Sequence, residues 1–196
     1  MHEFIFLMHS RTATGNGITK RMEPQSHDKP SFVPSWREYY RKGEMITMES
    51  VINKDTKTLV ITAEFDAGRD MVWRALTERD LMRQWYFDLA EFRAEVGFKF
   101  EFWAGDDHGK RWKHLCEVTD VEPETKIGYT WKYDGYSGIS HVLFELFDAK
   151  GGTLLKLTHS GIDTFPADVP ELALHNFETG WNHIIDNSLK NFLEKK

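Results

Sequence analysis

The stretch Phe98-Lys99-Phe100-Glu101-Phe102-Trp103 places three phenylalanines on one phase of a two-residue period. The same alternation returns four times, in residues 112–119, 127–133, 142–147 and 154–159. Such a period is typical of strands that bury one face. Glycine, proline and acidic residues fill the intervals between these segments at hairpin spacing. The pattern therefore predicts an antiparallel meander with one consistently apolar face.

The segments before this run predict one more strand and two short helices. Thr58–Phe65 is rich in β-branched residues and predicts a strand. Residues 71–77 carry apolar side chains at helical spacing, after an acidic first turn. Thr77 is expected to cap a second helix over residues 78–85. The apolar side chains that this second helix would bury are Leu81, Met82 and Trp85.

The C-terminal residues 171–195 return to a helical period. Their apolar stripe, spaced by four, three, four and four residues, is Phe177, Trp181, Ile184, Ser188 and Phe192, and Ile185 widens it. A helix of this length spans about 30 Å, which is enough to cross a sheet. The predicted fold class is therefore α+β, with a curved antiparallel sheet wrapped around a long C-terminal helix and two short helices after the first strand.

The first 44 residues differ from the rest of the chain. They contain three prolines, show no sustained period and carry a net charge of +2, against −8 for residues 45–196. We expect residues 1–44 to be an irregular extension and residues 45–196 to be the folded domain. Because Lys42-Gly43-Glu44 is what a purine-rich ribosome-binding site encodes when read in frame, Met45 or Met48 is a candidate natural start.

Composition excludes several classes of protein. The chain has 196 residues, a net charge of −6 and 14% aromatic residues, which is unlike a disordered protein. No apolar run approaches the roughly 18 residues of a membrane span. A mildly acidic chain without a basic cluster is a poor partner for nucleic acid or an anionic membrane. The single cysteine, Cys116, excludes a disulfide framework, and we expect a cytoplasmic location.

The chain from Thr58 onward resembles the START-like, or SRPBCC, superfamily, and within it the family homologous to the activator of heat-shock-protein-90 ATPase. Residues 61–67 with 72–77 look like the strand-to-helix signature of that family, and residues 81–85 look like its second helix ending in tryptophan. Residues 158–161, followed by Gly180-Trp181, look like its last strand and closing helix. The resemblance covers about 140 residues.

The resemblance implies a helix-grip fold, a hydrophobic cavity between the sheet and the C-terminal helix, and often a homodimer. It implies no particular reaction. The leading hypothesis is non-catalytic binding of a small apolar or aromatic molecule. One alternative is a chaperone-regulating interaction module, and another is a cyclase or lyase that uses a pocket histidine as base. Exposed apolar residues near a sheet edge would favour a protein partner, and a closed deep cavity would favour a small ligand.

The side chains predicted to line this cavity are mostly aromatic, with a few polar groups, as small-molecule sites usually are. They are Trp85, Phe102, Trp112, His114, Tyr129, Trp131, Phe144, His159, Trp181 and Ile185. The competing interpretation is that these aromatic residues simply fill the core, with their polar atoms bonded to backbone or water.

Catalytic and metal sites have weaker support in the sequence. His114 and His159 fall on the apolar phase of their strands, where a neutral imidazole orients a ligand or acts as a base. Glu117 and Glu145 fall on the opposite phase, so no His–carboxylate pair is predicted. His114 and Cys116 share a strand face but are too few for a zinc site. We expect no catalytic residue, no metal and no cofactor.

Overall fold

The computed structural model describes residues 48–105 and 109–195. The extension predicted for residues 1–44 and the three residues 106–108 lie outside the described residues. The strands are β1 (Met48–Asn53), β2 (Thr58–Phe65), β3 (Lys99–Gly105), β4 (Arg111–Glu122), β5 (Lys126–Tyr133), β6 (Ser140–Ala149) and β7 (Gly152–Ser160). They form one antiparallel sheet in the order β1-β2-β7-β6-β5-β4-β3.

The sheet joins two pieces of chain. The hairpin β1–β2 pairs with β7, and β3 to β7 follow one another as a meander. The predicted meander and the predicted strand Thr58–Phe65 are confirmed. Met48–Asn53 was not predicted as a strand. The predicted first strand is therefore the second strand of the structure, and the two helices follow β2. Alternate residues of β3 are exposed and buried, as the two-residue period requires.

Two helices lie between β2 and the meander: α1 (Arg69–Thr77) and α2 (Arg79–Met82). The second is shorter than predicted, and Thr77 does not cap it. The Thr77 hydroxyl instead donates to the carbonyl of Trp73 at 2.7 Å, while Glu78 occupies the N-cap position with extended backbone angles. The chain after α2 continues irregularly through an aromatic segment, Trp85-Tyr86-Phe87, all of which is buried.

The C-terminal helix is continuous over residues 174–194 in three parts. These are α3 (Leu174–Asn182), a π-helical segment His183–Leu189 and α4 (Lys190–Glu194). Four residues of its predicted stripe are buried, namely Phe177, Trp181, Ile184 and Ile185. The predicted start at residue 171 was too early, because Pro170–Leu172 forms a separate 3-10 turn. None of the helices in the described part of the chain combines the length and apolar character that a bilayer crossing requires.

Candidate functional site

The ten predicted lining residues are all buried, on the sheet face that points inward and on the helical elements that cover it. Two come from each of β4 and β5, one each from β3, β6 and β7, two from the C-terminal helix, and one from the segment after α2. In chain order they are Trp85, Phe102, Trp112, His114, Tyr129, Trp131, Phe144, His159, Trp181 and Ile185.

His114 lies at the centre of the aromatic rings on β3, β4 and β5. Its ring stacks on Phe102 with centroids 4.4 Å apart and an interplanar angle of 6°. Its ring centroid lies 4.9 Å from that of Trp131, which it meets edge-on, and 4.6 Å from that of Tyr133, which is tilted. The Nδ1 atom lies 3.1 Å from the carbonyl oxygen of Trp112. Because a carbonyl only accepts hydrogen bonds, Nδ1 carries the proton of this neutral ring.

His159 joins the sheet to the C-terminal helix through three hydrogen bonds in series. The Trp181 indole N–H donates to His159 Nδ1 at 2.9 Å. An indole nitrogen is only a donor, so Nδ1 is unprotonated and Nε2–H donates to the Ser140 hydroxyl at 2.7 Å. That hydroxyl in turn donates to the Trp131 carbonyl at 3.3 Å. Because the Trp181 indole N–H can only donate, it determines which group donates and which accepts in the two hydrogen bonds that follow.

Both buried imidazoles are poor proton acceptors. Burial lowers the pKa of His114 to about 3, although the carbonyls of Trp112 and Phe102 partly oppose this effect. Burial also lowers the pKa of His159 to about 3, and repulsion from His141 adds to it. Loss of hydration disfavours the charged form of any buried group, so both rings are neutral at neutral pH.

Phenol hydroxyls and a thiol form a second polar group in the layer. The Tyr86 and Tyr129 hydroxyl oxygens lie 2.9 Å apart in a buried hydrogen bond. Burial is the main cause that raises the pKa of Tyr86, of Tyr129 and of the Cys116 thiol. A thiol with a raised pKa is a weak nucleophile.

The helix closes over the layer through Trp181 and Ile185. The Trp181 ring lies 5.6 Å from the Trp131 ring and 5.8 Å from the Phe144 ring, measured between centroids. The centroid of the Phe144 ring lies 6.1 Å from that of the Tyr129 ring. The rings of β5, β6 and the C-terminal helix thus form one connected group with those around His114.

Lys110 and Glu171 form an ion pair beside Trp112. The Lys110 Nζ atom lies 2.6 Å from Glu171 Oε1 and 5.0 Å from the centroid of the Trp112 ring. The charge of Lys110, through this hydrogen bond, lowers the pKa of Glu171. The pair connects the residue before β4 to the turn that precedes the C-terminal helix, at the end of the layer where Trp112 lies.

Four residues of the layer were missed by the sequence prediction: Tyr86, Phe87, Tyr133 and Ser140. Phe87 stacks on Phe102 at 4.2 Å and Tyr133 contacts His114. Tyr133 and Ser140 share the inward phase of their strands with predicted residues, and this signal was available. Phe87 follows α2 in irregular chain, where no period shows which way a side chain points.

Glu117 and Glu145 lie on the outer face of the sheet, away from this layer. Glu145 pairs with Lys156 at 2.8 Å and Glu117 with Lys99 at 3.6 Å, both among exposed or half-buried side chains. Their predicted position on the opposite phase is confirmed. Among the residues that the structure describes, no three His, Cys, Asp or Glu side chains gather closely enough to hold a metal ion.

A curved antiparallel sheet closed by a long C-terminal helix defines the helix-grip class of α+β proteins, as the resemblance implied. The model of the family described as "Activator of Hsp90 ATPase homolog 1-like protein" matches residues 66–194. The chain belongs to this family, and the prediction of START-like membership is confirmed.

Solved structures share this fold. Protein MLL2253 from Mesorhizobium loti is 28% identical over 71% of this chain and 98% of its own, with a TM-score of 0.59. CalU16 from Micromonospora echinospora is 23% identical over 76% of this chain and 87% of its own, with a TM-score of 0.58. Ms6760 from Mycobacterium smegmatis is 16% identical over 76% and 97%, with a TM-score of 0.63. A search of curated proteins found no match.

Proposed function

We propose that this protein binds a small, neutral, apolar or aromatic molecule between the inner face of its sheet and its C-terminal helix. The observation that carries this proposal is a layer of buried aromatic rings in which the Trp112 indole N–H group has no hydrogen-bond partner. Native interiors rarely leave buried donors unpaired, so this group is expected to donate to a water or to a ligand. The fold supports the same conclusion.

The electrostatics of the layer favour a neutral ligand. The buried polar residues in the described chain are His114, Ser140, Thr153, His159 and Asn176. Both histidines in this set are neutral at pH 7 for the reasons given above. A charged molecule would lose its hydration here without meeting an opposite charge, which is costly in an apolar interior.

The Lys110–Glu171 pair suggests where the ligand enters. The Lys110 ammonium lies over the Trp112 ring, and neither side chain of the pair is fully buried. Exposed ion pairs contribute little to stability, so opening this one has a small energetic cost. We propose that the molecule passes between the start of β4 and the turn before the C-terminal helix.

Freshly purified protein is expected to retain its ligand, and native mass spectrometry tests this directly. The native mass should exceed the denatured mass of the same sample by one small molecule, whose fragmentation identifies its chemistry. The same spectrum counts subunits, and we expect a homodimer. Trp103→Ala, a substitution on the outer face of β3, serves as the control and should leave the excess mass unchanged. Protein that carries no excess mass and is not stabilised by any neutral aromatic compound would contradict the proposal.

A chaperone-regulating role is the second candidate, and one observation favours it. Trp103 is 55% exposed on β3, which is an edge strand of the sheet. A large exposed aromatic residue at an edge is typical of a contact with another protein. If this role holds, the protein stimulates an Hsp90-type ATPase and Trp103→Ala removes at least half of the stimulation. Equal stimulation by wild type and Trp103→Ala would argue against this surface.

The cyclase or lyase alternative has less support from the geometry. Both ring nitrogens of His159 already have hydrogen-bond partners, so a proton taken from a ligand would displace one of them. A group with a pKa of about 3 is also a weak general base at neutral pH, because catalytic bases work best near the ambient pH. His114 has the same low pKa. Binding without reaction is therefore the better proposal.

A further inference from the structure

The outer face of the sheet carries a compact polar group that the proposed binding layer does not use. It consists of Thr119 and Asp120 of β4 and His141 of β6, and we call it the outer-face triad. The Thr119 Oγ1 atom lies 2.6 Å from His141 Nε2 and 2.9 Å from Asp120 Oδ2. His141 Nε2 and Asp120 Oδ2 are 3.5 Å apart. Three atoms that carry lone pairs therefore form a small triangle.

A β-bulge places two neighbouring residues of β4 in this triangle. The pairing of β4 with β5 advances by two residues on β4, from Val118 to Asp120, and by one residue on β5. Thr119 is the extra residue. Successive side chains of a regular strand point to opposite faces, but a bulge interrupts this alternation and redirects a side chain. The Thr119 and Asp120 side chains can therefore both contact His141.

Gly128 of β5 provides the room in which the triad assembles. A Cβ atom at this position would lie 3.1 Å from Asp120 Oδ2 and 3.2 Å from His141 Cε1. Both distances are shorter than an ordinary van der Waals contact, so a side chain at residue 128 would push the carboxylate and the imidazole apart. The glycine thus allows these two groups to converge from β4 and β6, the strands on either side of β5.

The triad has more lone pairs than protons. A carboxylate only accepts hydrogen bonds, and the Thr119 hydroxyl has one proton to donate. When the ring proton of His141 is on Nδ1, that single hydroxyl proton is shared between the imidazole Nε2 and the Asp120 carboxylate. A cation that binds all three atoms would use the lone pairs that the hydrogen bonds leave over.

The charges around the triad also favour a cation. Among the residues that the structure describes, no lysine or arginine lies within ion-pair distance of Asp120. Glu122 raises the pKa of Lys126 most and holds its ammonium at 2.9 Å, whereas Asp120 contributes less to that pKa. The side chains of His141 and Asp120 are 36% and 39% exposed, so an ion from solution can reach them.

The size of the triangle fits a metal ion. Neighbouring ligands of an octahedral ion with bonds of about 2.1 Å lie roughly 3.0 Å apart. The three edges of the triangle, 2.6, 2.9 and 3.5 Å, bracket this value. An ion placed over the triangle would bind the protein through one face of its coordination octahedron, and water would occupy the remaining positions.

We propose that the outer-face triad is a surface site for a divalent transition-metal ion such as Ni²⁺, bound by His141 Nε2, Asp120 Oδ2 and the Thr119 hydroxyl oxygen. An imidazole ligand favours such ions, whereas Mg²⁺ prefers a set made of oxygen ligands alone. The ion would connect β4 to β6 across β5. The site lies on the face of the sheet opposite to the proposed binding layer, so it does not depend on that function.

Isothermal titration calorimetry of the tag-free full chain with NiCl₂ at pH 7 tests the site. His141→Gln and Asp120→Asn should each raise the dissociation constant of Ni²⁺ at least tenfold, because loss of even an outer-shell partner of a metal ligand costs about tenfold. His175→Gln, at an exposed position of α3, is the matched control and should keep the wild-type affinity. Addition of Mg²⁺ at the same concentration as Ni²⁺ should not compete.

Nuclear magnetic resonance locates the ion without any substitution. Paramagnetic Ni²⁺ should broaden the backbone amide signals of Thr119, Asp120 and His141 before those of His175. Bound metal should also raise the thermal unfolding midpoint of wild type, since a ligand that binds only the folded state stabilises it. His141→Gln should lose most of this shift.

Several results would overturn the inference. These are the absence of Ni²⁺ binding at millimolar concentration, equal dissociation constants in wild type and both triad variants, and broadening centred on other residues. Thr119→Val keeps the size of the side chain but removes the hydroxyl, and it should weaken binding several-fold. An unchanged affinity in Thr119→Val would overturn the three-ligand geometry.

Discussion

Lowering the pH from 7 to 5 is expected to remove about 4 kcal/mol from the free energy of unfolding through two histidines. Burial holds the pKa of both His114 and His159 at about 3 in the folded protein. Each ring takes up a proton near pH 6.5 once the chain unfolds. The unfolded state thus binds more protons below pH 6.5, so stability falls with pH from about 6.5 down to about 3. Above pH 7 the two rings contribute no pH dependence.

Urea unfolding at several pH values gives the pH dependence of the free energy of unfolding. The slope of that dependence is the number of protons that the chain takes up when it unfolds. We expect close to two at pH 5.5, where most carboxylates are still ionised in both states. His159→Gln should lower the value to about one, whatever it does to stability itself. His175→Gln, at an exposed position of α3, is the control and should leave the slope unchanged. A wild-type uptake below one proton at pH 5.5 would contradict the buried neutral state of the two rings.

Trp181→Ala is expected to lower the free energy of unfolding by about 3–5 kcal/mol. The indole is 1% exposed and packs against Trp131 and Phe144, so its removal leaves a large cavity between sheet and helix. The substitution also leaves His159 Nδ1 without its donor. An unpaired buried acceptor adds to the loss. Chemical denaturation at pH 7 measures the difference.

Trp103→Ala is the matched control for this substitution. It removes the same side chain from an exposed position, where the expected change lies within about 0.5 kcal/mol. A loss below about 1 kcal/mol for Trp181→Ala would contradict the packing role of this ring.

The parts of the fold with a strong period could be predicted from the sequence, and the parts without one could not. Phe98 to Trp103 and the four later segments show the alternation that one buried face imposes, and all became strands. Met48–Asn53 is an edge strand whose inward residues are only half-buried. Its Ser50 hydroxyl donates a hydrogen bond of 2.8 Å to the Glu178 carboxylate of α3. This inward residue is polar because of a tertiary contact, and a sequence period cannot reveal such a contact.

The site was predictable as a set of buried residues but not as a network. Inward phase places His114, Trp131 and His159 in the same layer, and they are buried there. Hydrogen-bond direction depends on distances between elements far apart in the chain. The series from Trp181 through His159 to Ser140 joins the C-terminal helix, β7 and β6 in this way. Only the three-dimensional structure therefore shows which indole N–H groups have a hydrogen-bond partner.

The pairing of β2 with β7 has a consequence for how the chain acquires its structure. Leu59 pairs with His159, a separation of 100 residues. A growing polypeptide cannot form this pairing until nearly the whole domain has left the ribosome. The apolar face of β2 therefore stays exposed to solvent during most of synthesis. Distant partners slow folding, because the intervening chain must lose its freedom first. We expect the five-strand meander to assemble early and the N-terminal hairpin to dock last, in the slowest step of refolding.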